Sequence, residues 1–238
     1  MKNGVLFFGF VLLLFSCTER TEETGTAIVE KSIEAHGGWE AFNALNSVSF
    51  YKTTRLFLED ESIESQQLQL QEFKLKPIFL LRMQWMKDTI EHAVFYDRMN
   101  VEVFEDSIEV KASEQITAAK KLGASAEYVF FQPFKLVSDD AQLDYVGQTK
   151  LFDSIQVKEV VVRYPNEAST IDRWSYFFND KHQLIAAKVA HQDRTSLILN
   201  TSFQTHNGIL FNKTRKSYFV DSLNRVKYLR ADYDYLIK

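Results

Sequence analysis

From Val48 to Ile237 the apolar residues of this 238-residue chain tend to recur at every second position, and that alternation limits the fold more than any other feature. Val48, Phe50 and Leu56 mark a first strand. Leu68 and Leu70 hand over to Phe73 and Leu75, a change of face that predicts a bulge near Glu72. Phe79, Leu81, Met83 and Trp85 form the apolar face of a third strand bounded by Pro77 and Asp88. Later strands are marked by Val160, Val162 and Tyr164, by Trp174, Tyr176 and Phe178, and by Ile185, Ala187 and Val189. The last three follow from Leu197, Leu199 and Phe203, from Leu210 near Phe211, and from Leu229, Ala231, Tyr233, Tyr235 and Ile237. Asn179-Asp180 before Lys181-His182, and Asn207-Gly208, supply turns between neighbours. The pattern predicts one long antiparallel meander.

Two segments follow a helical period instead. Thr26 to His36 sets Ile28, Val29 and Ile33 on one side and Glu30, Lys31 and Glu34 on the other, with Trp39 and Phe42 joining the apolar side through the turn. Gly37-Gly38 ends this helix as a left-handed C-cap, His36 sits where a cation suits the helix dipole, and Trp39 to Leu45 continue as a second short helix. Ser113 reads as the cap of a central helix that starts at Glu114 and runs to about Phe131, before Pro133 stops it. Ile116, Ala119, Leu122 and Ala126 give that helix its spacing, and Gly123 weakens its middle.

Roughly ten or eleven short strands exceed what a flat sheet holds without curling. The expected class is therefore mainly β (α+β): a curved antiparallel sheet forming an open or incomplete β-barrel, with helices covering its concave face. The chain has 20 Phe and 10 Tyr but only 3 Pro and 8 Gly, enough for one sizeable core, and 26–238 is read as a single domain. With 1 Cys there is no intramolecular disulfide, so packing alone must hold the fold.

That cysteine, Cys17, follows a basic n-region at Lys2 and an apolar run from Val5 to Phe15. Leu14-Phe15-Ser16-Cys17 resembles the lipobox of bacterial lipoproteins, in which the cysteine is acylated and becomes the mature N-terminus. The apolar run is shorter than the roughly 20 residues a bilayer span needs. The resemblance implies a signal peptide at 1–16, lipid attachment (palmitate or a similar acyl chain) at Cys17, and a polar tether over 17–25. Thr18 is not the aspartate of the inner-membrane retention signal, which favours an outer membrane. Glu19, Glu22 and Glu23 resemble the surface-export signal of Bacteroidota lipoproteins. The implied place is the cell envelope, held to the membrane by N-terminal acyl chains, with the periplasmic or surface face left open.

Little in the chain asks for covalent chemistry. A net charge of −4 gives no footprint for nucleic acid. His36-Gly37-Gly38 is similar to an oxyanion-hole tripeptide, but no Gly-x-Ser-x-Gly accompanies it. His36, His92, His182, His191 and His206 lack metal-ligand spacing, so no metal or other cofactor is expected. Glu59-Asp60-Glu61, Asp139-Asp140, and Asp232 with Asp234 read as solvated turns and outer faces rather than catalytic carboxylates. Four tripeptides, Asp88-Thr89-Ile90, Asp106-Ser107-Ile108, Asp153-Ser154-Ile155 and Asp221-Ser222-Leu223, resemble the Bacteroidota O-glycosylation sequon and each also reads as a turn.

Ala35-His36-Gly37-Gly38 followed by Leu45 and Ser47-Val48 resembles the opening of the LolA/LolB-like lipoprotein-carrier superfamily. Pro133-Phe134-Lys135-Leu136, Trp174 to Asn179 running into Leu184-Ile185, and Gly208 to Phe211 leading to Arg215 extend the likeness over most of 26–238. Among such proteins it is most similar to Bacteroidota lipoproteins. The resemblance implies a helical lid over an apolar cavity for acyl chains, and no enzymatic activity. The expected lining is Trp39, Phe79, Leu81, Met83, Trp85, Phe130, Phe131, Phe134 and Trp174. The expected function is a lipid or acyl-chain carrier or receptor. The alternative is a lipid-anchored module with a packed core and no ligand, docking an envelope protein.

Overall fold

The Thr24 hydroxyl accepts from the Ala27 N–H at 3.1 Å and so caps the first helix, α1 (Gly25–Ala35), at its N-terminus. The computed structural model describes residues 23–138, 140–164, 173–191, 193–221 and 223–238. Cys17 with its leader, Asp139 and Ser222 therefore lie outside the described residues. Gly37 has φ +116°, and a Cβ there would meet the Gly208 carbonyl oxygen at 2.3 Å, so only glycine fits between α1 and α2 (Gly38–Ala44).

Among the described residues thirteen strands follow. The first six are β1 (Ser47–Phe57), β2 (Ile63–Lys74), β3 (Leu80–Lys87), β4 (Ile90–Tyr96), β5 (Val101–Glu105) and β6 (Ile108–Glu109). Helix α3 (Ser113–Phe130) and a 3-10 turn (Phe134–Leu136) then cross to β7 (Gln142–Leu151), β8 (Ile155–Arg163) and β9 (Arg173–Phe178). The chain ends through β10 (Leu184–Ala190), β11 (Thr195–His206), β12 (Ile209–Val220) and β13 (Val226–Ile237). All belong to one antiparallel sheet of order β6-β5-β4-β3-β2-β1-β13-β12-β11-β10-β9-β8-β7. Every described element thus lies within residues 23–238.

The expected open or incomplete β-barrel is not formed. The sheet is neither closed nor strongly curled, and its edges, β6 and β7, stand at opposite ends of the strand order. β6 presents only 2 residues, too few to close a ladder. Strand number alone does not force closure, because open sheets of this size occur when a face is covered by helices. The single meander is also corrected: two meanders, β1–β6 and β7–β13, meet through the pairing of the first strand with the last, as in Lys52 opposite Tyr235.

Other local expectations shift as well. β2 pairs with both neighbours without a slip near Glu72; the irregularity falls at Leu56/Phe57. Gln69 and Gln71 therefore point inward with Phe73, and Leu68 points to solvent. Ser113 is the first residue of α3, whose cap position is Ala112 with no side-chain bond. The turns Asp88-Thr89 and Asp106-Ser107 take positive φ at both residues, the geometry of tight hairpins.

One large apolar cluster lies between the helices and one sheet face, with Ile28, Val29 and Ile33 from α1 and Ala119 and Phe130 from α3. α1 rests on β7 and β8, α2 on β12, and α3 on β4 and β5. Phe130 stacks on Phe50 at 4.1 Å and on Phe211 at 4.9 Å, which fixes the end of α3 to the middle of the sheet. Near its centre α3 approaches β4 so closely that a Cβ on Gly123 would lie 2.5 Å from the Tyr96 ring. A smaller cluster, including Val157, Phe177 and Leu197, occupies the opposite face.

His36 is not the cation expected at the end of α1. Its ring is 1 % exposed, and burial pushes its pKa down against the opposing effect of the Leu210 carbonyl. The Leu184 N–H donates to Nε2 at 3.2 Å, so Nδ1 carries the proton and donates to the Leu210 carbonyl at 2.8 Å. The neutral imidazole thereby ties the end of α1 to the starts of β10 and β12.

Candidate functional site

Cross-strand register gathers a polar group in the middle of an otherwise apolar face. Lys52 on β1 lies opposite Tyr235 on β13, Tyr233 opposite Arg215 on β12, and Arg215 opposite Asn200 on β11. On the other side Lys52 faces Gln69 and Phe50 faces Gln71 on β2. The period of two sends these side chains to the same face as Phe50. Arg215 is 5 % exposed, and its Nε donates to Asn200 Oδ1 at 2.9 Å; Asn200 in turn donates to the Leu184 carbonyl at 2.7 Å.

α3 lies above this group. Leu122, Ala126 and Phe130 recur at four-residue intervals beside Ser125 and Val129, giving the helix one largely apolar stripe. Between stripe and sheet is a cavity of about 180 Å³, completed by Trp174, Ile198 and the inward groups Lys52, Gln71, Gln132, Arg215, Tyr233 and Tyr235. One wall is apolar and the other cationic. The volume suits a benzene-sized group, for which roughly 150 Å³ suffices, and falls short of the 300 Å³ or so at which drug-sized sites begin.

The electrostatics of the polar wall are uneven. Lys52 Nζ stands 5.4 Å from the Tyr233 ring centre and 5.8 Å from that of Tyr235. Burial pushes the Tyr235 phenol up, but the charges of Lys52 and Arg215 and a hydrogen bond from Arg215 outweigh it and leave the phenol below its ordinary value. Tyr176 and Tyr128 go the other way, raised chiefly by burial. They stay protonated in a relay in which Tyr164 donates to Tyr128 at 3.1 Å and the Tyr128 and Tyr176 hydroxyls lie 2.8 Å apart. Gln132 Nε2 donates to Tyr176 at 3.4 Å, while its buried Oε1 has no hydrogen-bond partner. Among the described residues no carboxylate forms an ion pair with Arg215 or Lys52. Holding an unpaired charge out of water costs several kcal/mol, on the order of 2 or more.

The buried carboxylate of α3 points elsewhere. Glu127, 6 % exposed, accepts from Arg98 Nη2 at 2.8 Å and meets Lys135 Nζ at 2.5 Å. Burial raises its pKa, and the hydrogen bonds and charges of Arg98 and Lys135 more than offset this, so the group ends below the usual carboxylate range. The Arg98 guanidinium also stands 4.1 Å from the Phe79 ring centre. This clasp fixes α3 to the β4–β5 turn and to the 3-10 turn.

Of the nine residues expected to line a cavity, Phe130 and Trp174 do so here. Phe79, Leu81, Met83, Phe131 and Phe134 are buried in the main cluster without lining it. Trp39 meets Phe134 edge-on at 5.6 Å, and Trp85 stacks on His92 at 5.3 Å, so neither borders this cavity. Sequence reasoning missed the polar wall. Lys52 was the available signal, since it shares the inward parity of Val48 and Phe50. The Asp232 carboxylate faces outward and takes a two-pronged contact from Arg55 at 2.8 and 2.9 Å. Among the described residues no three potential metal ligands converge.

Three crystal structures share this architecture. A LolA superfamily protein from Nitrosomonas europaea aligns with a TM-score of 0.56 at 11 % identity, over 91 % of this chain and 94 % of that one. The fold is LolA-like. A DUF1329 family protein from Desulfovibrio piger gives a TM-score of 0.54 at 8 % identity, covering 91 % and 92 %. A Vibrio parahaemolyticus domain described as an outer membrane lipoprotein-sorting protein gives 0.53 at 7 %, covering 90 % of each chain. At such identities the likeness carries the LolA-like fold and no narrower kinship, Bacteroidota included. No protein-family model matches the sequence, and no curated protein matches it.

Proposed function

We propose that the protein is a non-enzymatic carrier or receptor of the cell envelope, anchored through an acylated Cys17, which holds a lipid or acyl chain between α3 and the sheet. The observation that carries this reading is the cavity itself, roofed by the apolar stripe of α3 and walled by Phe130 and Trp174. Apolar burial at about 25 cal/mol per Å² drives binding. The LolA-like fold supports it, and so does the outer membrane lipoprotein-sorting description of the Vibrio parahaemolyticus domain. An outer-membrane lipoprotein, facing either side, fits the same reading.

A cavity of about 180 Å³ takes only part of an acyl chain, so uptake requires α3 to lift from the sheet. The Glu127 clasp then acts as the point about which the helix is held. The test is native mass spectrometry with organic extraction on a form starting at Thr18, which keeps every described element, purified from a bacterial envelope compartment. A bound lipid in stoichiometric amount is expected. An empty protein that resists lipid soaking overturns the reading in favour of a protein-docking module.

A further inference from the structure

The sheet side of the cavity is built for more than an apolar chain. Arg215 and Lys52 project from β12 and β1 on either side of β13, and both line the same space as Leu122, Ala126 and Val129. Arg215 is buried, its Nε engaged by a neutral amide, and neither cation has a carboxylate partner among the described residues. Each of the other inward neighbours is neutral or a phenol: Gln71, Gln132, Tyr233, Tyr235 and, beside Arg215, Tyr176. The Gln132 Oε1, also buried and also at the lining, adds an acceptor with no partner.

An uncharged hydrocarbon would leave the Arg215 and Lys52 charges desolvated and unmatched, a penalty that a purely apolar ligand cannot offset. A guanidinium and an ammonium around one small space match an acid oxygen group, which accepts charge-assisted hydrogen bonds from both. The cavity size limits what enters to such a head and the first few carbons of one chain. We infer that the ligand is a single-chain anionic amphiphile whose acid group seats between Lys52 and Arg215 while its chain runs under the apolar stripe of α3. This rests on the lipid-binding reading above and names the ligand class within it. Tyr233 and Tyr235 line the same space.

The experiment compares three ligands of equal chain length on the form starting at Thr18: palmitate, hexadecyl phosphate and the uncharged hexadecanol, each followed by Trp fluorescence and calorimetry. At least one acid is expected to bind about 10-fold or more tighter than the alcohol. Preference for the carboxylate points to a free fatty acid as source, and preference for the phosphate to a phospholipid-type head. K52Q, on a half-buried side chain, should remove most of the preference by weakening binding of the acids far more than binding of hexadecanol. R215M should abolish the preference. Equal affinity for the alcohol and both acids overturns the anionic ligand and leaves the lipid-binding reading standing. No binding of any of the three overturns both. A preference for acids that survives K52Q and R215M together overturns the assignment of the seat.

Discussion

On one flank of α3 a buried carboxylate meets two cations, and on the other two cations meet no carboxylate among the described residues. Glu127 is held between Arg98 of the β4–β5 turn and Lys135 of the 3-10 turn. Arg215 is equally buried, yet it has Asn200 and phenols for company, and Lys52 lies across β13 between Gln69 and the rings of Tyr233 and Tyr235. Both arrangements take charge out of water, which is costly unless the charge is matched. The matched site holds the helix down. The unmatched site borders the cavity, where the proposed acid group would complete it. Charge balance thus separates the structural contact of Glu127 from the proposed binding site beneath the same helix.

Breaking the clasp should have the largest effect. Glu127→Ala leaves two cations around an empty site and is expected to cost about 3 kcal/mol in urea unfolding. Arg98 and Lys135 are partly exposed, which keeps the figure from rising further. Lifting α3 without touching a charge comes next. Gly123→Ala sets a methyl against the Tyr96 ring and should lower stability by about 2 kcal/mol, despite the roughly 1 kcal/mol that alanine adds to helix propensity. A stable Gly123→Ala protein would show that α3 packs less tightly on β4 than the contact implies.

The unmatched side should respond with the opposite sign. Arg215→Met removes a charge with no carboxylate partner among the described residues, and ligand-free stability should stay level or rise by about 1 kcal/mol. A loss as large as that of Glu127→Ala would mean that Arg215 is a structural residue. The smallest contrast is in pH. Glu127 binds its proton more weakly folded than unfolded, so its stabilisation is complete above about pH 4.3 and is lost as pH falls through its lowered folded value. Glu127→Gln should flatten that acid slope, whereas Arg215→Met should leave it unchanged, since a guanidinium does not titrate there.

How far the sequence disclosed this arrangement depends on whether the inward face was apolar. Where it was, as for Phe79 to Trp85 or Tyr176 and Phe178, alternation located the strands, and the Gly37-Gly38 break located the end of α1. Where inward positions are glutamine, lysine or arginine, the pattern misled. Gln69 and Gln71 point inward, so the apolar Leu68 and Leu70 were taken for the core face and a bulge was inferred at Glu72 to reconcile them with Phe73. β4 to β7 escaped notice because they are short or lie towards an edge and carry charged residues, as in Glu102 and Glu105 of β5 or, on one face of β7, Asp144 and Lys150. Closure into a barrel was inferred from strand number, and it fails because the chain places the 2-residue β6 at one end of the sheet. Arg215 was noticed only as the end of a resembling segment. Nothing local shows that its partners come from β11 and β13, which only register brings together.

The most direct test keeps Trp174 as the sole tryptophan, by W39F and W85F, and adds palmitate brominated near its carboxyl end, which quenches only on contact. A companion protein keeps Trp85 alone. Strong saturable quenching of Trp174 with little effect on Trp85 is the expected result, because Trp174 lines the space beneath α3 and Trp85 lies against His92. Saturable binding that quenches Trp85 and spares Trp174 would contradict the account and put the ligand elsewhere on the sheet.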